Sequence, residues 1–390
     1  MATYIPRTIE KEIRKAARQF PVVVLTGPRQ TGKSTLLKKL FPKHRVADLD
    51  DPMTLAQAKK DPLLFLENHT PFLLLDEIQY APELLPYLKM AVDRNRRRGG
   101  QFILTGSQVF PLMEGVSESL AGRAALFELL GFSWEELGGE DASVKNCFRQ
   151  MIKGFYPDPA AHHVMARNYY GAYLKTYLER DIRQMKSVHD LTLFQRFLEL
   201  LAARVASLLN LSEIAKECGV SHTTARHWLS LLENTRIVYL LKPYHANVSK
   251  RVVKSPKLYL TDTGLLAYLL KYADADALQA GPMAGAFFEN MIVIELLKAK
   301  FNHNALSELY FFRDSNQNEV DVVIDKGRSK VFVEIKMART LRLEHAEPLS
   351  RIQTKFQDSS AYLVGFAQEP LFIMRNVKLS PWRKVSELVI

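Results

Sequence analysis

Residues Gly27-Pro28-Arg29-Gln30-Thr31-Gly32-Lys33-Ser34 read G-x-x-x-x-G-K-S, a phosphate-cradling loop, and this octapeptide constrains the fold more than any other part of the chain. The flanks carry the right context. Val22-Val23-Val24-Leu25 is a short β-branched run that predicts a buried strand. Thr35-Leu36-Leu37-Lys38-Lys39-Leu40 continues as a helix and stops at Phe41-Pro42. Gly27 and Gly32 let the backbone fold round a phosphate, and amides at the helix N-terminus face the anion. In this geometry Lys33 reaches the β- and γ-phosphates of a nucleoside triphosphate, and the Ser34 hydroxyl ligates Mg2+.

A partner motif follows. Phe72-Leu73-Leu74-Leu75 predicts a second buried strand, and Asp76-Glu77 emerges at its C-terminal end, where ligands of open α/β sheets bind. Asp76 fits the Walker B role of holding Mg2+ through its water shell, with Glu77 placed to polarise an attacking water. ATP and Mg2+ are therefore the expected ligands. Gln101-Phe102-Ile103-Leu104-Thr105-Gly106-Ser107 predicts a third strand ending in hydroxyls. Ser107, or else Thr105, is the expected sensor of the γ-phosphate. Arg123, after Leu120-Ala121-Gly122, is either an arginine finger acting in cis or in trans, or a surface cation. Residues 4–20 predict an amphipathic helix capping the nucleotide domain, with Arg7 approaching the nucleotide. Arg96-Arg97-Arg98 is either a favourable cation cluster at a helix C-terminus or a phosphate or intersubunit contact.

At 390 residues, with 47% hydrophobic and 24% charged content, the chain has the composition of a folded protein of two or three domains. Its two cysteines, Cys147 and Cys218, are too far apart for a disulfide framework or a cysteine zinc site and suit a reducing cytoplasm. No apolar run approaches the roughly 18 residues of a membrane span, so no membrane partner is expected. The formal net charge is +11, and residues 161–260 alone hold 15 Lys and Arg against 7 Asp and Glu. Such a segment is either a solvated basic surface or a contact for a polyanion, most simply double-stranded DNA.

The motifs Gly-Pro-Arg-Gln-Thr-Gly-Lys-Ser, Leu-Asp-Glu-Ile-Gln, Leu-Thr-Gly-Ser-Gln and Leu-Ala-Gly-Arg together resemble the AAA-type ATPase module of a large bacterial and archaeal family. Its members carry a C-terminal domain of unknown function. The similarity continues through Tyr177-Leu178-Glu179-Arg180-Asp181 and Leu260-Thr261-Asp262-Thr263-Gly264 to the end of the chain. The resemblance implies an α/β AAA+ P-loop core, a helical and winged-helix module, and a restriction-endonuclease-like C-terminal α/β domain, placed here at residues 1–150, 151–265 and 266–390.

Read without that help, residues 211–232 predict helix, glycine turn, helix, with Ser212 and Ser221 as N-caps. His222, Thr223, Thr224, Arg226 and His227 then face outward on the second helix, in the pattern of a helix-turn-helix reading DNA. Ile237–Leu241 and Lys257–Leu260 predict hairpin strands, with Lys250, Arg251 and Lys254 on a wing that lies on phosphates. Such modules also contact proteins. Further on, strand alternation puts Glu319 with Asp321, and Glu334 with Lys336, on shared faces. Together with Glu289 on a helix, Asp321 and Glu-x-Lys resemble the PD-(D/E)-x-K nuclease core, although no proline precedes Asp321. In that chemistry Asp321, Glu334 and Glu289 hold Mg2+, and Lys336 positions or activates water. The plainer reading is a charge pattern on a solvated sheet face. The expected protein is thus an ATPase coupling turnover to DNA binding or remodelling, as a homo-oligomer of possible ring form. The alternatives are an ATP-dependent switch with a protein partner and an ATP-regulated metal-dependent nuclease.

Overall fold

The computed structural model describes residues 4–390 apart from 70–71, 108–114, 117, 140, 142, 163, 178–189, 245–254, 315, 317 and 339. The expected wing residues Lys250, Arg251 and Lys254 lie outside the described residues, as does most of the Tyr177–Asp181 motif.

The N-terminal part runs α1 (Glu10–Gln19), β1 (Val22–Thr26), α2 (Lys33–Leu40), β2 (Arg45–Asp48), α3 (Pro52–Lys60), α4 (Pro62–His69), β3 (Leu73–Asp76), α5 (Leu84–Arg94), β4 (Phe102–Gly106) and β5 (Ala124–Glu128). The five strands form one parallel sheet in the order β2-β3-β4-β1-β5. Every residue of β1, β3 and β4 is buried because helices cover both faces, which is why these strands read as unbroken apolar runs. Alternation still sorts them. Val23, Leu25, Leu74 and Ile103 pack with Ile13 of α1 and Leu36 and Leu37 of α2. Val22, Val24, Leu73, Leu75 and Leu104 pack with α3, α4 and α5 on the other side. All the parallel strands point their C-terminal ends at the edge where the loop after Thr26 begins.

A helical part follows: α6 (Val144–Lys153), α7 (Pro157–Ala161), α8 (Ala166–Tyr177) and α9 (Leu191–Ala202). Next come β6 (Ser207–Leu208), α10 (Leu211–Cys218), α11 (His222–Asn234), β7 (Val238–Pro243) and β8 (Lys257–Leu260). Gly219, at φ +78°, makes the left-handed turn between α10 and α11. Ser221 caps α11 by accepting from Thr224 N, as expected. The cap of α10 differs: Asn210, not Ser212, accepts from Glu213 N, and the helix starts at Leu211. Asn and Ser cap about equally well, so position relative to Leu211 decided between them. β7 and β8 pair antiparallel, and β6 adds to the far side of β8.

The rest comprises α12 (Thr263–Leu269), α13 (Ala275–Ala280), α14 (Ala284–Asn302), β9 (Glu308–Arg313), β10 (Glu319–Asp325), β11 (Lys330–Ile335), α15 (Leu343–Gln353), β12 (Ser359–Gly365), β13 (Leu371–Met374) and β14 (Val377–Pro381). β7 pairs parallel with β9, so the hairpin and the C-terminal strands form one nine-stranded sheet, β13-β14-β12-β11-β10-β9-β7-β8-β6. α14 is buried at nearly every position from Phe287 to Ala299, with apolar residues on all its faces and the buried Asn290, Glu295 and Lys298 among them. It runs from this sheet to the ATPase part: Lys298 Nζ donates to Phe132 O, and Trp134 N donates to Glu295 Oε2.

Candidate functional site

The loop from Gly27 to Gly32 joins β1 to α2, and two backbone conditions shape it. A side chain at Gly27 would meet Leu129 O at 2.0 Å, so only glycine lets the loop pass the residue that follows β5. Gly32, at φ +86°, sits in the left-handed region immediately before α2. α2 therefore starts at Lys33 with its first amides bordering the loop. Lys33 is buried, and its Nζ donates to Gly27 O at 2.9 Å and Pro28 O at 2.7 Å, so the ammonium lies across the loop. Arg29 Nη2 donates to Tyr80 Oη at 2.6 Å.

The sheet register brings the remaining polar groups to the same edge. Ser34 Oγ donates to Asp76 Oδ1 at 2.8 Å, and the Thr105 hydroxyl donates to that same oxygen. Glu77 N donates to Thr105 Oγ1 at 3.0 Å. Glu77 itself has φ +57°, a left-handed backbone that ends β3 abruptly and turns the side chain aside. The Gln79 amide donates to the Glu77 carboxylate and, at 3.0 Å, to Ser107 Oγ. Lys33, Ser34, Asp76, Glu77, Thr105 and Ser107 are thus gathered at one end of the sheet. Gln79, three residues beyond Asp76, was missed in the sequence; its signal was an amide close behind two acids.

Arg123 is placed elsewhere. Its backbone precedes β5 and lies beside Val22, the first residue of β1, which puts it about 15 Å of strand from the loop. Its guanidinium binds Asp93 through Nε at 2.7 Å and Nη2 at 3.0 Å. Within one chain it does not approach the phosphate loop.

Arg7 does reach it, through backbone. Buried, it donates to Thr31 O at 3.1 Å, Leu130 O at 2.9 Å and Gly131 O at 3.1 Å, while its Nε binds Glu136 at 3.0 Å. Beside this network lies a cavity of about 390 Å³, lined by Tyr4, Ile5, Leu36, Phe132, Pro157 and Asp158 among others. Its walls come from both ends of the ATPase part and from α7, so no local pattern could announce it. Asp262, of the Leu260–Gly264 motif, accepts from Phe155 N at 2.7 Å and Leu265 N at 3.0 Å and so anchors the turn before α7.

A second constellation forms on the nine-stranded sheet. Glu289 of α14, Asp321 of β10, and Glu334 of β11 with Lys336 just beyond it converge as the strand alternation predicted. Burial, reinforced by the Asp321 charge, pushes both Glu289 and Glu334 up to about 7. Glu319, which shares its strand face with Asp321, joins the cluster, and two neighbours were missed: Tyr259 and Lys257. Lys257 carries the readable signal, because a lysine in the otherwise apolar stretch Lys257-Leu258-Tyr259-Leu260 needs a buried partner.

On α11, His222, Thr223, Arg226 and His227 are exposed, Thr224 is half-buried, and Trp228, Ala225, Leu229 and Leu232 are turned into the core. Arg236, just after α11, forms a largely buried ion pair with Glu128 of β5. Among the described residues no helix is long and apolar enough to cross a membrane.

The parallel sheet, the glycine loop and the Ser34–Asp76 pair define a P-loop nucleoside-triphosphatase fold. An AAA domain model matches residues 19–138, and models of domains of unknown function match residues 144–276 and 284–385. Uncharacterised proteins of Mycobacterium tuberculosis and Mycobacterium bovis are each 34% identical to the chain over 339 residues, covering 86% of it and 74% of their own length. The chain belongs to their family, AAA-type ATPases with a C-terminal domain of unknown function. Among solved structures, the Walker-type ATPase of Pyrococcus abyssi matches with a TM-score of 0.41 at 16% identity, over 67% of this chain and 94% of that one. AMPPCP-bound DnaA of Aquifex aeolicus matches with a TM-score of 0.30 at 17% identity, over 58% of this chain and 85% of that one.

Proposed function

We propose that this AAA-type ATPase couples ATP turnover at the loop of residues 27–35 to the engagement of double-stranded DNA by the outward face of α11. The observation that carries the coupling is the Arg236–Glu128 ion pair. Glu128 is the register partner of Thr26, the residue immediately before Gly27, and Arg236 lies two residues after α11. A change in the loop therefore has a short path to the helix that would read DNA.

In this reading the triphosphate lies along Gly27–Thr35, and the base enters the cavity beside Tyr4, Ile5 and Phe132. The oxygen donors Ser34 and Asp76 suit a hard divalent cation and would hold Mg2+, which neutralises phosphate charge. Glu77 polarises the attacking water once Gln79 releases it, and Ser107 reports on the γ-phosphate. Arg123, remote from its own loop, acts on a neighbouring copy in a homo-oligomer. The helix-turn-helix with the β6-β8-β7 strands supports a winged-helix module, and the exposed Arg226, His222 and His227 supply its polar surface.

The test is ATP hydrolysis by the full chain with and without duplex DNA, with Lys33→Ala as blank. Stimulation of severalfold that Arg226→Ala removes supports the coupling. Turnover indifferent to DNA would reject it and direct the search to a protein partner of α11.

A further inference from the structure

The C-terminal acids stand where a metal-dependent nuclease core would hold its ion, yet each of them already has a cationic partner. Lys257 Nζ lies 2.6 Å from Glu319 Oε1, 3.3 Å from Glu289 Oε1 and 3.3 Å from Asp321 Oδ1, and its side chain is 4% exposed. Asp321 Oδ2 accepts from Ile335 N at 2.9 Å. Glu289 Oε1 also accepts from Tyr259 Oη at 2.8 Å, and Glu334 binds Lys336 at 2.7 Å. Arg313 lies 3.4 Å from the second oxygen of Glu319. Three cations thus face four carboxylates.

Divalent cations of the Mg2+ class need oxygen ligands converging at about 2.0–2.6 Å with lone pairs free. Among the described residues, no three His, Cys, Asp or Glu side chains are arranged to hold a metal ion. An ammonium fixed between the carboxylates repels a second cation from the same space and neutralises the charge that would attract it. The donor set therefore does not fit the metal that the nuclease resemblance implies.

We infer that Lys257 is the resident cation of this cluster, which serves as an ionic latch rather than a metal-dependent nuclease centre. The latch has a definite mechanical position. Lys257 opens β8, Glu289 belongs to α14, and Glu319 and Asp321 belong to β10, so one ammonium clasps three elements. Asn290 of α14 also bonds Leu260 of β8, whereas the hairpin meets the C-terminal strands through the two-residue β7–β9 register. The latch holds the hairpin behind α11 against the helix that reaches Trp134 and Phe132, the latter lining the cavity beside Arg7. The inference stands on the C-terminal geometry and does not depend on the DNA reading.

Two measurements on the full chain test it. Mn2+ titration, followed by electron paramagnetic resonance without nucleotide, should give the same uptake for wild type and Asp321→Asn. An ion bound by wild type and lost in Asp321→Asn would overturn the inference. Ions at Ser34 and Asp76 cancel in this comparison. Thermal unfolding supplies the second arm: Lys257→Met should lower Tm, and adding Asp321→Asn should restore at least half of the loss, because the partner charge is then removed as well. Losses that simply add would overturn the latch. If Lys257→Met does not fold, the Mn2+ comparison still decides, since it uses neither that variant nor activity.

Discussion

Ser34 and Asp76 are 42 residues apart in the chain and share a hydrogen bond of 2.8 Å, with the Thr105 hydroxyl donating to the same Asp76 oxygen. The ends of β3 and β4 and the start of α2 meet in that arrangement. Thr105 also accepts from Glu77 N, so it fixes both acids at once. Thr105→Val keeps the shape and removes both bonds. It should cost about 1–3 kcal/mol of stability through the unsatisfied Glu77 amide. ATP hydrolysis should fall about 10–100-fold, with nucleotide binding in EDTA unchanged. Steady-state turnover beside fluorescent-nucleotide binding checks this.

Arg7 ties three carbonyls of the ATPase part to Glu136, whose side chain is itself 2% exposed. Arg7→Met leaves that carboxylate without its cation, at a cost of about 3–5 kcal/mol for a broken buried pair. ATP affinity should drop about tenfold because Thr31 O loses its anchor. Urea unfolding and isothermal titration read the two effects separately.

Glu128 and Arg236 sit at 12% and 14% side-chain exposure. Removing either charge alone, in Glu128→Gln or Arg236→Met, should destabilise by on the order of 3 kcal/mol. The double variant should lose clearly less than the sum. A double-mutant cycle of unfolding free energies measures this coupling, and additive losses would remove the pair from its bridging role.

Glu289 is held near 7 by burial first and by Asp321 second. Its folded value lies above the unfolded one, about 4.3. Between those values the folded chain keeps a proton that the unfolded chain has released, so this group's contribution to stability declines as pH rises from about 4.3 to 7 and then levels. Glu289→Gln should flatten part of that decline; Glu334, shifted the same way, should retain the rest. Tm measured from pH 5 to 8 tests the sign.

The helix-turn-helix was legible down to its Ser221 cap because capping and glycine turns are written within three or four residues. α15 and β14 were less so. In Leu343–Gln353 a proline stands inside the helix, and Val377–Pro381 ends in one, so both local signals run against the element formed.

The sequence by itself determined the phosphate loop, the acids that end β3, the hydroxyls that end β4 and the acid pattern of β10 and β11. Each depends on backbone geometry within one strand or turn, which nearby residues dictate. Only the tertiary structure decided that Lys257 sits among Glu289, Glu319 and Asp321, that Arg7 holds Thr31, and that Arg123 turns away to Asp93. Those meetings depend on sheet order and on helices that cross between parts of the chain. A charged side chain, buried or not, pairs with whatever the packing brings within about 3 Å, and no spacing in the sequence records that choice.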